Sequence, residues 1–242
     1  DDLVWVSSDR QTALVSDGPG IAGNAVSLGS NYTFAGVADV DGNGMQLVWE
    51  SEVLVGTALS PIDTNVGATW YGVSPGAGWD LIEVADFLDD GNADFLWWND
   101  SLNGAAFTSH DAAVTEWFGS PGAGWSLVET GDLDGDGTID LLWQNAADDA
   151  IAITTLQEDT GSGAIERDSE IWIGSHGSAW EIDRLVDLDG DGAHEILWFN
   201  AGLSGYAVQN DAFDIGSLSW LGGLSETEVA NLETWRLDVW RL

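Results

Sequence analysis

The chain has 242 residues, 42 of them acidic against 5 basic, with no cysteine and a formal net charge of −37 at pH 7. So negative a surface excludes nucleic acid as a partner and disfavours an anionic bilayer, because both are gripped through basic patches. Apolar residues make up 44% of the chain, enough for a sizeable core without disulfides, and no run approaches the roughly 18 apolar residues of a spanning helix, so no membrane insertion is expected.

The chain opens on Asp2-Leu3-Val4-Trp5, a short apolar strand. A fuller unit starts at Tyr32, passes through Asp39-Val40-Asp41-Gly42-Asn43-Gly44, and continues into Gln46-Leu47-Val48-Trp49 and then Trp70-Tyr71-Gly72. The next begins at Trp79, passes Asp86 to Gly91, and continues with Asp94-Phe95-Leu96-Trp97, the apolar run 104–108 and Trp117-Phe118-Gly119. A third begins at Trp125 and holds Asp132-Leu133-Asp134-Gly135-Asp136-Gly137, Asp140-Leu141-Leu142-Trp143, the run 150–154 and Trp172-Ile173-Gly174. A fourth begins at Trp180 and holds Asp187-Leu188-Asp189-Gly190-Asp191-Gly192, Glu195-Ile196-Leu197-Trp198 and Trp220-Leu221-Gly222. The stretch 224–232 is the nearest approach to a helical period, and the chain closes on Trp235-Arg236-Leu237-Asp238-Val239-Trp240, a copy of the strand that opens each unit.

First aspartates at 39, 86, 132 and 187 give spacings of 47, 46 and 55 residues. Repeats of about 40–50 residues with four short strands each are propeller blades. Four complete units and one split between the termini predict an all-β, five-bladed β-propeller of four-stranded antiparallel blades, a single domain over 1–242. The N- and C-terminal strands are expected to pair antiparallel in the split blade and close the ring, which removes free sheet edges.

The loops have the composition of calcium sites. Calcium takes six to eight hard oxygens, mostly carboxylate and carbonyl. Asp132, Asp134 and Asp136 offer carboxylates at positions 1, 3 and 5, Thr138 a carbonyl at 7 and Asp140 a carboxylate at 9. Asp187, Asp189, Asp191, Ala193 and Glu195 repeat the set. Two loops are diluted: Asp39, Asp41 and Asn43 keep three positions with Gln46 in place of the closing acid, and Asp86, Asp90 and Asp94 are kept while Leu88 takes position 3. Most of the 15 Trp recur at fixed repeat positions, as packing between blades requires. Trp79, Trp125 and Trp180, each following a near-identical Gly- and Ser-containing connection, are the candidate ligand-stacking residues.

The Asp-x-Asp-Gly-Asp-Gly-x-x-Asp-Leu-Leu-Trp pattern resembles the FG-GAP/VCBS repeat family of integrin-type propellers. That resemblance implies bound Ca2+, an extracellular or cell-surface location, and a role in adhesion or sugar recognition. It covers nearly the whole chain and is sharpest at Asp132–Asp140 and Asp187–Glu195. The leading expectation is a non-catalytic, lectin-like module for a glycan or other cell-surface ligand, in a saline or calcium-rich setting where the charge is screened. One alternative is a self-assembling subunit of a fibre or surface layer joined by strand exchange. Another is a propeller-type polysaccharide lyase or glycosidase, but His110, His176 and His194 lack metal-ligand spacing and no Gly-x-Ser-x-Gly motif occurs.

Overall fold

The computed structural model describes residues 3–16, 24–62, 67–87, 91–112, 115–145, 147–159 and 164–223. The architecture is all-β: five antiparallel sheets, the blade set of a five-bladed β-propeller. The first holds β1 (Leu3–Val6), β2 (Ala13–Ser16) and β3 (Asn24–Val26). The second runs β4 (Thr33–Ala38), β5 (Gln46–Ser51), β6 (Gly56–Pro61) and β7 (Thr69–Trp70), and the third β8 (Asp80–Ala85), β9 (Asp94–Asn99), β10 (Gly104–Thr108) and β11 (Thr115–Gly119). The fourth runs β12 (Trp125–Gly131), β13 (Asp140–Asn145), β14 (Ile151–Asp159) and β15 (Ala164–Gly174), and the fifth β16 (Glu181–Val186), β17 (Glu195–Asn200), β18 (Gly205–Gln209) and β19 (Leu218–Gly222). Strand order follows chain order in every sheet. The expected pairing of Trp235–Leu242 with the first strand, and the stretch 224–232, lie outside the described residues.

The chain forms two compact units, divided between Trp117 and Phe118. Within the first unit, Val37, Leu47 and Trp49 pack with Ala13 and Val15, while Val48 and Leu59 pack with Leu81, Phe95 and Trp97. Within the second, Leu142, Ile151 and Ile153 pack with Ile196 and Trp198. The second strand β5 therefore has apolar neighbours on both faces, and successive residues of β9, β13 and β17 are buried in turn on both of theirs. That is why β9, β13 and β17 read as continuous apolar runs and not as an alternation. Each of these strands, like β5, centres on a fully buried indole: Trp49, Trp97, Trp143 or Trp198.

Two features of the repeat were not readable in its sequence. The opening strands β4, β8, β12 and β16 each carry a bulge, between Phe34 and Gly36, Leu81 and Glu83, Leu127 and Glu129, and Ile182 and Arg184. The extra residue adds local twist and is free to face outward, as the exposed Ile82 and Val128 do. The long third spacing is explained by β14 and β15, which extend as a hairpin through Leu156–Arg167 to Asp159–Ala164.

Candidate functional site

The acidic loops are built alike. Asp132 accepts the N–H of Gly135 at 2.7 Å on one oxygen and of Gly137 at 2.9 Å on the other. Asp134 accepts from Asp136 at 3.2 Å, and Asp136 from Thr138 at 2.7 Å. The Asp187 loop reproduces each bond: Asp187 with Gly190 and Gly192, Asp189 with Asp191, Asp191 with Ala193. Gly135 and Gly137 sit at φ 78° and 92°, Gly190 and Gly192 at 81° and 100°, a region that side chains resist. The result brings carboxylate oxygens of Asp132, Asp134 and Asp136 within 4.8 Å of one another, and likewise those of Asp187, Asp189 and Asp191.

The closing acids do different work. Asp140, fully buried, accepts the N–H of Leu133 at 2.9 Å and of Leu156 at 3.0 Å, tying loop to strand. Burial pushes its carboxyl up to about 7 against the pull of those two N–H groups, with Asp134 and Asp136 adding to the rise. Glu195 accepts from Leu188 at 2.7 Å and is also raised by burial and by Asp189 and Asp187. Asp134 is raised by burial and the nearby Asp136. Thus each strong loop gathers negative charge that its surroundings leave uncompensated, and a hard divalent cation fits that donor set.

The diluted loops differ in kind. Burial raises the Asp41 carboxyl, but hydrogen bonds from Asn43 and Gln46 outweigh it and hold it below the usual range. The Gln46 amide donates to Asp41 at 3.0 Å, occupying an oxygen that a cation would need. Asp39 accepts from Gly44 at 3.1 Å through one oxygen, and its other is buried without a partner. Asp86 accepts from Gly91 at 2.9 Å. Asp94 accepts from the His110 backbone at 2.8 Å and lies 3.5 Å from its ring. Asp90 lies outside the described residues. Neighbouring loops are wired in pairs: Ala93 N–H donates to the Asp39 carbonyl, and His194 N–H to that of Asp132, both at 2.7 Å.

The tryptophans form a second repeated feature. Trp79 meets Trp117 edge to face at 5.3 Å between ring centres, Trp125 meets Trp172 at 5.3 Å, and Trp180 meets Trp220 at 6.0 Å. The sequence-derived candidates are the inner partners, Trp125 buried and Trp79 and Trp180 half-buried. The outer partners on the fourth strands are open to solvent, with Trp117 49% exposed, Trp172 61% and Trp220 51%, as is Trp70 at 45%. The two sets recur in step, the inner one with Tyr32 in the first unit, so recurrence alone could not separate them; the signal was position on the edge strand. The rings of Trp70 and Trp220 lie against Gly56 and Gly205, where an added Cβ would come within 3.0 Å and 2.7 Å of the indole. Gly205→Ala is therefore expected to cost about 1–3 kcal/mol by overpacking, seen as a lower melting temperature. An unchanged value would mean that the Trp220 ring and the Gly222 backbone, whose carbonyl oxygen would lie 2.5 Å from that Cβ, both give way freely.

No family model matches the chain, and no curated protein sequence does. Among solved structures it is similar to an Agrocybe aegerita lectin, one described by its specific recognition of non-reducing terminal N-acetylglucosamine, with a TM-score of 0.55 and 14% identity. The match covers 91% of this chain and 66% of the lectin chain. The likeness is one of fold.

Proposed function

We propose that this chain is a non-catalytic, lectin-like propeller that binds glycans through its edge-strand tryptophans, acts outside the cell, and holds calcium in the loops of Asp132 and Asp187. The observation that carries the reading is the recurring exposed indole at Trp70, Trp117, Trp172 and Trp220, three of them braced by a second tryptophan. A half-exposed Trp in one place needs no explanation, but one at the same position in four sheets is a surface kept for contact. Indoles are large, rigid and apolar with one donor, so they bind the apolar face of a sugar ring at little entropic cost. The fold likeness to a sugar-binding protein supports the same reading. Calcium is supported by the convergent carboxylates, and the extracellular setting by the loop resemblance and the acidity.

A glycan array is the direct test, with N-acetylglucosamine-terminated sugars among the ligands. Binding is expected, and Trp117→Ala and Trp172→Ala should each weaken it while leaving the melting temperature within a few degrees. An array with no binding at millimolar sugar, calcium present, would overturn the reading.

A further inference from the structure

We infer that a pocket beside Trp79 holds the free ammonium group of an amino sugar, with Glu50 as its counter-charge; this deepens the glycan reading and rests on it. The cavity is about 170 Å³ and lies between the β5–β6 turn and the connection into β8, within one compact unit. Glu50, Glu52 and Asp80 line it, together with Trp79, Ser74 and Gly76, and no basic side chain among the described residues does. Ligand pockets usually run to about 300 Å³ or more, and water occupies about 30 Å³ per molecule. The space therefore suits one charged edge of a sugar, not an oligosaccharide.

Glu50 is fixed in place, since one of its oxygens accepts the Leu81 N–H at 2.9 Å. Burial pushes its carboxyl up to about 7 against the pull of that N–H. Asp80 and Glu52 push the same way as burial, and Arg10 opposes with the smallest influence. A half-buried acid among acids is a site whose charge awaits a cation. A divalent metal fits less well: among the described residues, three acidic groups converge only in the loops of Asp132 and Asp187. An ammonium group does not need such convergence, for it spreads three donors and is attracted by an indole face.

The pocket is also a departure from the repeat. Glu50 follows the buried Trp49 as Trp98, Gln144 and Phe199 follow Trp97, Trp143 and Trp198. That position differs in residue type from sheet to sheet, and the acid stands in one of them alone.

The test is calorimetric titration of the intact chain with glucosamine, N-acetylglucosamine and glucose at pH 7, beside Glu50→Gln. Glutamine keeps an oxygen for the Leu81 N–H and removes the charge, so the variant should fold. Glucosamine is expected to bind about tenfold tighter than the two neutral sugars, as a charge-assisted hydrogen bond warrants. Glu50→Gln should abolish that excess and leave N-acetylglucosamine unaffected. In the wild type, glucosamine should also release protons, read from the dependence of heat on buffer, as Glu50 ionises; this readout needs no variant. Equal affinity for the three sugars, or an excess that survives Glu50→Gln, overturns the inference and leaves the glycan reading standing. Binding of none of them overturns the inference too, and the glycan array alone then decides the glycan reading.

Discussion

Withdrawing calcium at low salt is expected to lower the melting temperature by about 10–20 °C. An ion that binds only the folded chain stabilises it by about 2.7 kcal/mol at a hundredfold excess over its dissociation constant. Two strong loops double that, and a chain of this size shifts by about 2–4 °C per kcal/mol. The sign of the pH dependence follows from the raised acids. In the calcium-free chain Asp140 binds its proton more tightly folded than unfolded, about 7 against an ordinary 3.8. Its contribution is present below the unfolded value and is lost as pH rises through the folded one. The loss should amount to on the order of 2 kcal/mol between pH 5 and 7. The calcium-free melting temperature should therefore fall across that window, while the calcium-loaded one holds steady. Scanning calorimetry in chelator and in millimolar calcium checks both. A melting temperature indifferent to calcium at low salt would remove the ion from the Asp132 and Asp187 loops. Asp132→Asn with Asp187→Asn should reproduce the calcium-free temperature and no longer respond to the ion.

The second large effect belongs to the buried indoles. Trp143→Ala should cost about 3–5 kcal/mol, the usual loss for emptying a fully buried aromatic site. A subtler comparison isolates the polar part. Trp143 donates to the Thr154 hydroxyl at 2.9 Å in a fully buried pair, and Trp49 does the same to Ser60 at 2.9 Å. In the third sheet the corresponding atoms, Trp97 Nε1 and Thr108 Oγ1, are buried and make no such bond. Trp143→Phe leaves the Thr154 hydroxyl without its partner, whereas Trp97→Phe removes an unpaired donor. Trp143→Phe should therefore be the costlier by about 1–2 kcal/mol, measured by urea unfolding. Equal costs would mean that the Trp143–Thr154 hydrogen bond adds nothing net.

The blades could be read from the chain because each repeat states its pattern several times over. The Asp-rich loop, the apolar second strand with its Trp and the edge-strand Trp-aromatic-Gly recur in phase, and propeller sheets follow. The bulges could not be read, since Ile82 and Val128 have the composition of ordinary strand residues and only the pairing register skips them. In the two strong loops the approach of Asp132, Asp134 and Asp136, and of Asp187, Asp189 and Asp191, was legible from their spacing. The anchoring role of Asp140 was not, because a carboxylate at that spacing serves a cation or two backbone N–H groups equally well. Trp125 and Trp172 illustrate the remaining gap. Both belong to sets that recur in step, and which indole is covered depends on which strand lies at the sheet edge. Glu50 carried no motif at all; its pocket arises from a turn and a connection far apart in sequence.

The central claim is that the edge-strand indoles meet the ligand. Each Trp has one indole N–H, so nitrogen-labelled tryptophan gives one NMR signal per ring, assigned by single substitutions. On titration with an array-selected sugar, the signals of Trp117, Trp172 and Trp220 should shift together, while those of the buried Trp49, Trp97, Trp143 and Trp198 stay in place. Shifts confined to the buried rings, or none at saturating sugar, would contradict the account.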